Sequence, residues 1–341
     1  MARRLTDQQR RRIHSHQQRK RNAVTDVAEL LDDTLLGAEQ EALVIAHYGS
    51  QLDVELLSDT RAEPAVVRCA LRANIAQLVT GDHVIVRLPA EEAGVDAAAV
   101  VVAACERHSL LSRPDSRGLL RPVAANIDAM LITIAPRPEP FPFLIDRYLV
   151  AADMHEIQPV ILCNKTDLID DSNRDHIETL LSIYRAIGYP VFSVSSHEGV
   201  GLESVEAFLS DKTAVVVGQS GVGKSSLIRA LLPGIEIATG ALSEMVDKGK
   251  HTTTTARLYH LPKGGNLIDS PGIREFTLQH VPAQQLLSHF VDLRDYADHC
   301  RFRDCQHQHE PDCALLAAEA SGAVFPERLA SYRHILSTLK N

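Results

Sequence analysis

The chain has 341 residues, 45% hydrophobic and 23% charged, with a formal net charge of −9. That length allows two or three domains, and no stretch approaches the roughly 18 apolar residues that a membrane-spanning helix needs. The basic N-terminus runs into no apolar segment, so no secretory signal is read there and a cytoplasmic protein is expected.

The charge is unevenly spread. Arg3, Arg4, Arg10, Arg11, Arg12, Arg19, Lys20 and Arg21 face one acid, Asp7, within residues 1–22. This arm therefore carries +7 and the rest of the chain −16. Such an arm suits contact with a polyanion, because each cation that meets a phosphate releases a counterion. A solvated tail has the same composition. Residues 1–40 are read as this arm and an acidic linker.

From residue 41 to 125, short β-type segments alternate with turn signals at Gly49–Ser50 and Gly81–Asp82. The segments are Leu43–His47, Val54–Leu57, Ala65–Leu71, Asn74–Val79, His83–Leu88 and Val100–Ala104. Several strands in so short a span predict a small antiparallel barrel, of which the OB-fold is the commonest kind and from which an SH3-like barrel is barely distinguishable in sequence. From 126 to 283 the pattern becomes α/β. Apolar strands at Ala129–Ile134, Val160–Cys163, Val191–Val194, Ala214–Val217 and Asn266–Ile268 alternate with helices over 144–154, 175–187, 202–210 and 224–232. Buried strands separated by helices predict a parallel sheet. Residues 284–341 read as helical. Of the six cysteines, Cys69, Cys105 and Cys163 stand alone among apolar neighbours and are expected in cores.

Four motifs carry chemistry. Gly218-Gln219-Ser220-Gly221-Val222-Gly223-Lys224-Ser225, followed by Ser226, lies between a predicted strand and a predicted helix. It matches the phosphate-binding loop, whose glycines let backbone N–H groups close round a β-phosphate at a helix N-terminus. Lys224 is expected on the β- and γ-phosphates and Ser225 on Mg²⁺. Asn164-Lys165-Thr166-Asp167 follows the strand Val160–Cys163. A carboxylate at Asp167 accepts guanine N1–H and N2–H₂ together, a donor pair that adenine lacks, so GTP is the expected nucleotide. Asn164 is expected at the guanine O6/N7 side and as a tie between loops, and the Lys165 stem over the ring. Ser195 and Ser196, in the stretch Ser193–His197, end the next strand and offer backbone N–H to guanine O6. Asp269-Ser270-Pro271-Gly272 fits D-x-x-G: Asp269 is expected to hold Mg²⁺ through water, and the Gly272 N–H to meet the γ-phosphate.

Between these lies Lys248–Thr255, where the first switch is expected and one threonine, with Thr253 and Thr254 as candidates, reaches Mg²⁺. Ile273 occupies the place after Gly272 where many G proteins carry a water-orienting glutamine, so intrinsic hydrolysis is expected to be slow. His251 is the candidate catalytic substitute. The base-reading motifs precede the phosphate motifs, which is a circular permutation of the usual order. Finally, Cys300-x₄-Cys305-x-His307-x₅-Cys313 offers a closed Cys₃His set for structural Zn²⁺, with His299 and His309 as competitors for the fourth place.

These parts resemble the ribosome small-subunit-dependent GTPases of the RsgA (YjeQ) type. The resemblance is carried by Leu111–Pro114, Val123–Asp128, Asn164–Asp167, Gly218–Ser225, Gly249–Thr254, Asp269–Gly272 and the Cys300/Cys305/His307/Cys313 knuckle. It implies a monomeric GTPase that binds the small (30S) subunit and its 16S rRNA late in assembly. It also implies hydrolysis stimulated by the subunit, release of maturation factors, a catalytic histidine like His251 and a zinc ligand at His307. Two rival readings are a metabolic P-loop kinase, which has no use for Asn164–Asp167, and a GTP-sensing module without turnover.

Overall fold

A computed structural model of the protein describes residues 36–49, 51–58, 64–72, 75, 77–90, 98–115, 118–234, 256–269, 278 and 281–339. Its contacts divide the chain into two compact units. One is Met1–His108 with Ala124–Asn126 and Thr255–Leu258; the other is Ser109–Val123, Ile127–Thr254 and Tyr259–Asn341.

The first unit is a closed barrel of β1 (Leu36–His47), β2 (Gln51–Leu56), β3 (Val66–Leu71), β4 (His83–Pro89) and β5 (Ala99–Ala104). β1 pairs with both β2 and β4, β3 pairs with β2 and, in parallel, with β5, and β5 returns to β4. No strand edge is left open, which removes the liability of an unpaired edge. Alternation sets the faces: Leu52, Val54 and Leu56 point inward with Val44, Cys69, Val84, Val86 and Val101. β1 is longer than its apolar run predicts, because its acidic first half is held by backbone pairing to β4 across a bulge.

The parallel β3–β5 pair departs from the antiparallel barrel expected, because closing the ring brings two strands of the same direction side by side, and two further expectations fail. Asn74–Val79 forms no strand among its described residues; instead the chain turns, with Val79 N–H donating to the Asp82 carboxylate at 2.7 Å. Arg107 clamps that carboxylate with two bonds, at 2.6 and 2.8 Å, and Leu78 is fully buried in the barrel core. Apolar residues at this spacing fill a core without alternating. Cys105 is exposed, because β5 buries only its first half and Ala103 and Ala104 already face outward.

In the second unit, β6 (Leu110–Pro114) and β7 (Leu120–Ala125) make a separate ribbon. The main sheet contains β8 (Ala129–Ile134), β9 (Gln158–Cys163), β10 (Val191–Ser193), β11 (Thr213–Gly218) and β13 (Asn266–Asp269), all parallel, in the order β10-β9-β8-β11-β13; β12 is Arg257–His260. Every residue of β8 is buried, as a central strand covered on both faces requires. The helices are α1 (Pro142–Met154), α2 (Arg174–Ile187), α3 (Leu202–Leu209) and α4 (Lys224–Leu231). α2 shows why these helices sit where they do. Ile177, Leu180, Leu181 and Tyr184 repeat at helical spacing and are buried, and Gly188, at φ 105, caps the end in the left-handed conformation. The chain winds outward from β8 through β9 to β10, then returns to β11 and winds the other way. The winding therefore reverses between β8 and β11, and ligands of open α/β sheets bind at the carboxyl ends of strands at such a point.

The C-terminal elements, including α5 (Ala314–Ala320) and α6 (Pro326–Leu339), belong to this unit. α6 is fastened by Arg328, whose guanidinium is buried against Asp146 of α1 and donates to both oxygens of Asp292 at 2.7 and 3.0 Å. The Tyr184 hydroxyl also donates to Asp146, at 2.9 Å, and the Phe290 ring lies 4.8 Å from the guanidinium. Burial opposes the Arg328 charge, but the two carboxylates outweigh it and raise its pKa.

Arg328→Met is expected to lower unfolding stability by about 3–5 kcal/mol, because it strands a buried carboxylate. The double variant Arg328→Met/Asp146→Leu should recover most of that loss. Urea unfolding of the three proteins measures both; equal stability of Arg328→Met and the parent would refute a structural role for the network.

Candidate functional site

The carboxyl ends of β9, β10, β11 and β13 carry the loops predicted to bind nucleotide. At the end of β11, Gly218 adopts φ 136, and a Cβ there would collide with the carbonyl oxygen of Thr133 on β8. Glycine is required so that the loop can lie against the sheet. Gly223, at φ 91, precedes α4, and a Cβ on it would come within 2.5 Å of Asn164 Nδ2. Lys224 is buried, and its ammonium donates to the carbonyls of Gly218 and Gln219 at 2.6 and 2.7 Å. The positive charge is thus held on the axis of the loop, where the amide N–H groups at the N-terminus of α4 also favour an anion.

Asn164, at the end of β9, is fully buried. Its amide Nδ2 donates to Val222 O at 3.0 Å and to Gly223 O at 3.4 Å, while its Oδ1 accepts from Ser196 N–H at 3.1 Å. The next residue, Lys165, takes the left-handed conformation at φ 58 and fixes its ammonium on Gly221 O (2.5 Å) and Arg137 O (3.2 Å). Thr166 N–H donates to Val194 O at 3.1 Å and opens the short 3₁₀ turn Thr166–Leu168 that carries Asp167. One Asp167 oxygen accepts from the Ser195 hydroxyl at 2.5 Å, which orients the carboxylate. The result is an open cleft of about 580 Å³, lined by Lys165, Asp167, Leu168, Ser196, His197, Gly223, Ser226, Arg229 and Ala230. A cleft with an oriented carboxylate on one wall and a phosphate-loop glycine on another can accept a purine with paired ring donors.

Sequence and structure differ in detail. Ser196 N–H, expected to face the base, is engaged by Asn164. Leu168, Arg229 and Ala230 line the cleft although no motif marks them, and Arg137 supports the Lys165 loop through its carbonyl. A backbone contact carries no side-chain signature that a sequence could show. Asp269 ends β13, which runs beside β11 with Ile268 opposite Val215, so the residue stands at the end of the strand next to the one that leads into the phosphate loop. His251, Thr253, Thr254, Gly272 and Ile273 lie outside the described residues.

The comparisons with known proteins point to one family. A family model for the RsgA GTPase matches residues 104–279, and a Pseudomonas aeruginosa protein named small ribosomal subunit biogenesis GTPase RsgA is 52% identical over 311 residues. The chain belongs to the RsgA GTPase family. That P. aeruginosa alignment covers 91% of this chain and 89% of the relative. An Azotobacter vinelandii protein of the same name is 50% identical over 341 residues, covering 99% of this chain and 98% of its own. Among solved structures, YjeQ from Thermotoga maritima aligns with a TM-score of 0.72 at 27% identity, over 89% of this chain and 99% of that one. YloQ, described as a circularly permuted GTPase, aligns with a TM-score of 0.69 at 28% identity, over 89% and 96%. Membership of the RsgA family makes this chain a GTP hydrolase with permuted motif order, and GTPases generally use Mg²⁺. No helix among the described residues is long and apolar enough to cross a membrane.

The RsgA-type chain also brings Cys300, Cys305, His307 and Cys313 together, with their ligand atoms all within 4.8 Å of one another. His307 Nδ1 lies 3.5 Å from the sulfurs of both Cys300 and Cys313, which are 3.9 Å apart. A tetrahedral ion bound at about 2.3 Å by sulfur and about 2.0 Å by nitrogen requires S···S near 3.8 Å and S···N near 3.5 Å, so the cluster fits a metal ion. Burial lowers the His307 pKa, which favours the neutral, ligating imidazole. The competitor His299 instead has its Nδ1 2.9 Å from Asp295 O. The loop is held independently of any ion: Arg333 on α6 donates twice to His307 O, at 2.7 and 3.0 Å. The Glu310 carboxylate accepts from Gln308, Gln306 and His309 N–H groups, which hold its pKa down at about 2.

Cys305→Ser is expected to drop the metal content of the purified protein from about one ion per chain to well below half, since three donors do not close a structural site. Elemental mass spectrometry gives the count. Retention of a full equivalent would remove Cys305 from the ligand set.

Proposed function

We propose that this protein binds GTP in the cleft at Asp167 and hydrolyses it on the small (30S) ribosomal subunit, against 16S rRNA, late in that subunit's maturation. Hydrolysis there is coupled to release of the protein or of maturation factors. The reading rests above all on the juxtaposition of Asp167 with the phosphate loop through Asn164, in a chain whose relatives are named for small-subunit biogenesis. The protein acts in the cytoplasm as a monomer. The organisation that serves this function is an arm and linker leading into β1, a barrel of β1 to β5, a GTPase domain carrying the predicted nucleotide loops and a helical metal-binding domain (284–341).

Asp167 accepts the guanine N1–H and N2–H₂, with Asn164, Lys165, Thr166, Ser195 and Ser196 forming the surrounding frame. Gly218, Gln219, Ser220, Gly221, Val222 and Gly223 close their backbone round the phosphates, and Lys224, Ser225 and Ser226 complete that cradle. Ser225, Asp269 and Thr253 or Thr254 hold Mg²⁺, which offsets the charge that develops on the phosphates. Gly272 N–H meets the γ-phosphate. His251 orients the attacking water that Ile273 cannot, so turnover is slow until the ribosome organises the switches. Cys300, Cys305, His307 and Cys313 hold Zn²⁺, which closes the loop and takes no part in hydrolysis.

Phosphate release from GTP, with and without purified small subunits, tests the reading. Stimulation by the subunit is the expected result, and its absence would refute the proposed site of action. His251→Ala should lower the stimulated kcat by about 10²–10⁴-fold with nucleotide affinity retained; full activity would return the role to another group.

Asp167→Asn should weaken GTP binding about 10²-fold and gain affinity for xanthosine triphosphate, because the amide replaces an acceptor by a donor at the C2 substituent. Competition titration with GTP, ATP and XTP measures it, and an unchanged preference for GTP would overturn the base assignment.

A further inference from the structure

The groups that read a guanine edge do not hold the flat ring in place. Asp167 meets ring donors in the plane of the base, and Asn164 stitches the loops behind it. A purine held only at its edge leaves both faces exposed to water. The Lys165 stem supplies one rigid wall, because its ammonium is pinned on Gly221 O and Arg137 O. The rest of the cleft lining is Leu168, Ser196, His197, Gly223, Ser226, Arg229 and Ala230. Among these, His197 and Arg229 alone carry planar, delocalised groups of the shape that stacks on an aromatic ring.

Both residues are exposed, and each is placed by its own element. His197 follows Ser196, whose N–H is bound to Asn164, so its backbone is fixed to the base-reading frame. Arg229 stands on α4, one turn after Ser225, and its Nε donates to Ser225 O at 3.1 Å. That bond ties the guanidinium back to the helix whose N-terminus forms the phosphate loop. One flat group thus comes from the base-reading loop and the other from the phosphate-loop helix, on a single cleft.

We propose that His197 and Arg229 are base-face residues, whose imidazole and guanidinium cover the purine ring and set the residence time of guanine nucleotide. The proposal rests on the reading of this cleft as the guanine site. Since both residues act on the ring face, which GTP and GDP share, they slow the departure of both nucleotides. The Asp167 edge retains the choice of base.

The test is stopped-flow displacement of fluorescent methylanthraniloyl-GDP from the full-length protein by excess GDP. His197→Ala and Arg229→Ala should each raise the dissociation rate about 3- to 30-fold, the range of a single cation–π or stacking contact. The association rate should move much less. His197→Phe should restore slow release, because it keeps a ring without the imidazole nitrogens. Arg229→Lys separates the two ways in which an arginine can act. Fast release by that variant supports stacking by the planar group, whereas release at the parent rate shows that charge alone suffices and overturns the ring-face role of Arg229. Unchanged dissociation rates in both alanine variants overturn the proposal as a whole. Failure of the parent protein to bind the labelled GDP would instead remove the guanine reading on which it rests.

Discussion

The arrangement depends on one buried amide. Asn164 gives Nδ2 to the Val222 and Gly223 carbonyls and takes the Ser196 N–H on Oδ1, so three loops whose motifs predict contact with different parts of a nucleotide are joined at a single side chain. The Asn164 side chain is fully buried, and an unpaired buried donor or acceptor costs about 1–3 kcal/mol. Asn164 lies 58 residues before Val222 in the chain. The permuted motif order leaves this contact intact, because it is set by the neighbouring strands and not by the direction in which loops connect them. β9 lies beside β8, β8 beside β11, and the ends of these strands converge whichever is made first.

The same reasoning explains what could be read in the sequence. The phosphate loop was legible because its glycines answer a local demand: positive φ at Gly218, Gly221 and Gly223, and close approach to Thr133 and Asn164. The strands of the sheet were legible because a strand buried on both faces is apolar throughout, as β8 is. The Cys₃His cluster was legible because its four ligands fall within 14 residues. The barrel was legible as a set of alternating segments, yet the segment Asn74–Val79 misled. Its apolar residues fill the barrel without forming a ladder, and apolarity alone does not separate those two uses. Cys105 misled for a related reason: the apolar run Ala97–Cys105 outlasts the part of β5 that the core covers.

Asn164 was legible as a tie between loops because it sits in a motif, but long-range polar contacts outside the motifs were not legible. Arg328 and Asp146 are 182 residues apart and surrounded by ordinary helix-forming sequence, and neither belongs to a motif. A buried arginine between two carboxylates shows itself only once three elements have been packed together. Such pairs are expensive to desolvate and add little net stability over an apolar core. What they do well is fix geometry, because a fork of donors accepts only a narrow range of carboxylate positions.

That geometric role bears on how the C-terminal elements sit. α6 carries two such forks five residues apart. Arg328 grips Asp146 on α1 and Asp292, and Arg333 grips the carbonyl of His307 inside the metal loop. Packing contributes as well, with the His334 and Phe143 rings 4.3 Å apart and the Phe290 ring edge-on to Tyr332. α1 follows directly on the segment that includes Arg137 and Pro138, where Arg137 O receives the Lys165 ammonium beside the phosphate loop. The Cys₃His loop and the loops predicted to bind nucleotide are therefore both attached to this packed pair of helices. A displacement of the metal loop cannot be absorbed by sliding α6 over an apolar face, because both forks would lose their acceptors. It must either break a fork or be carried into α1, which is a constraint that packing between apolar faces alone would not impose.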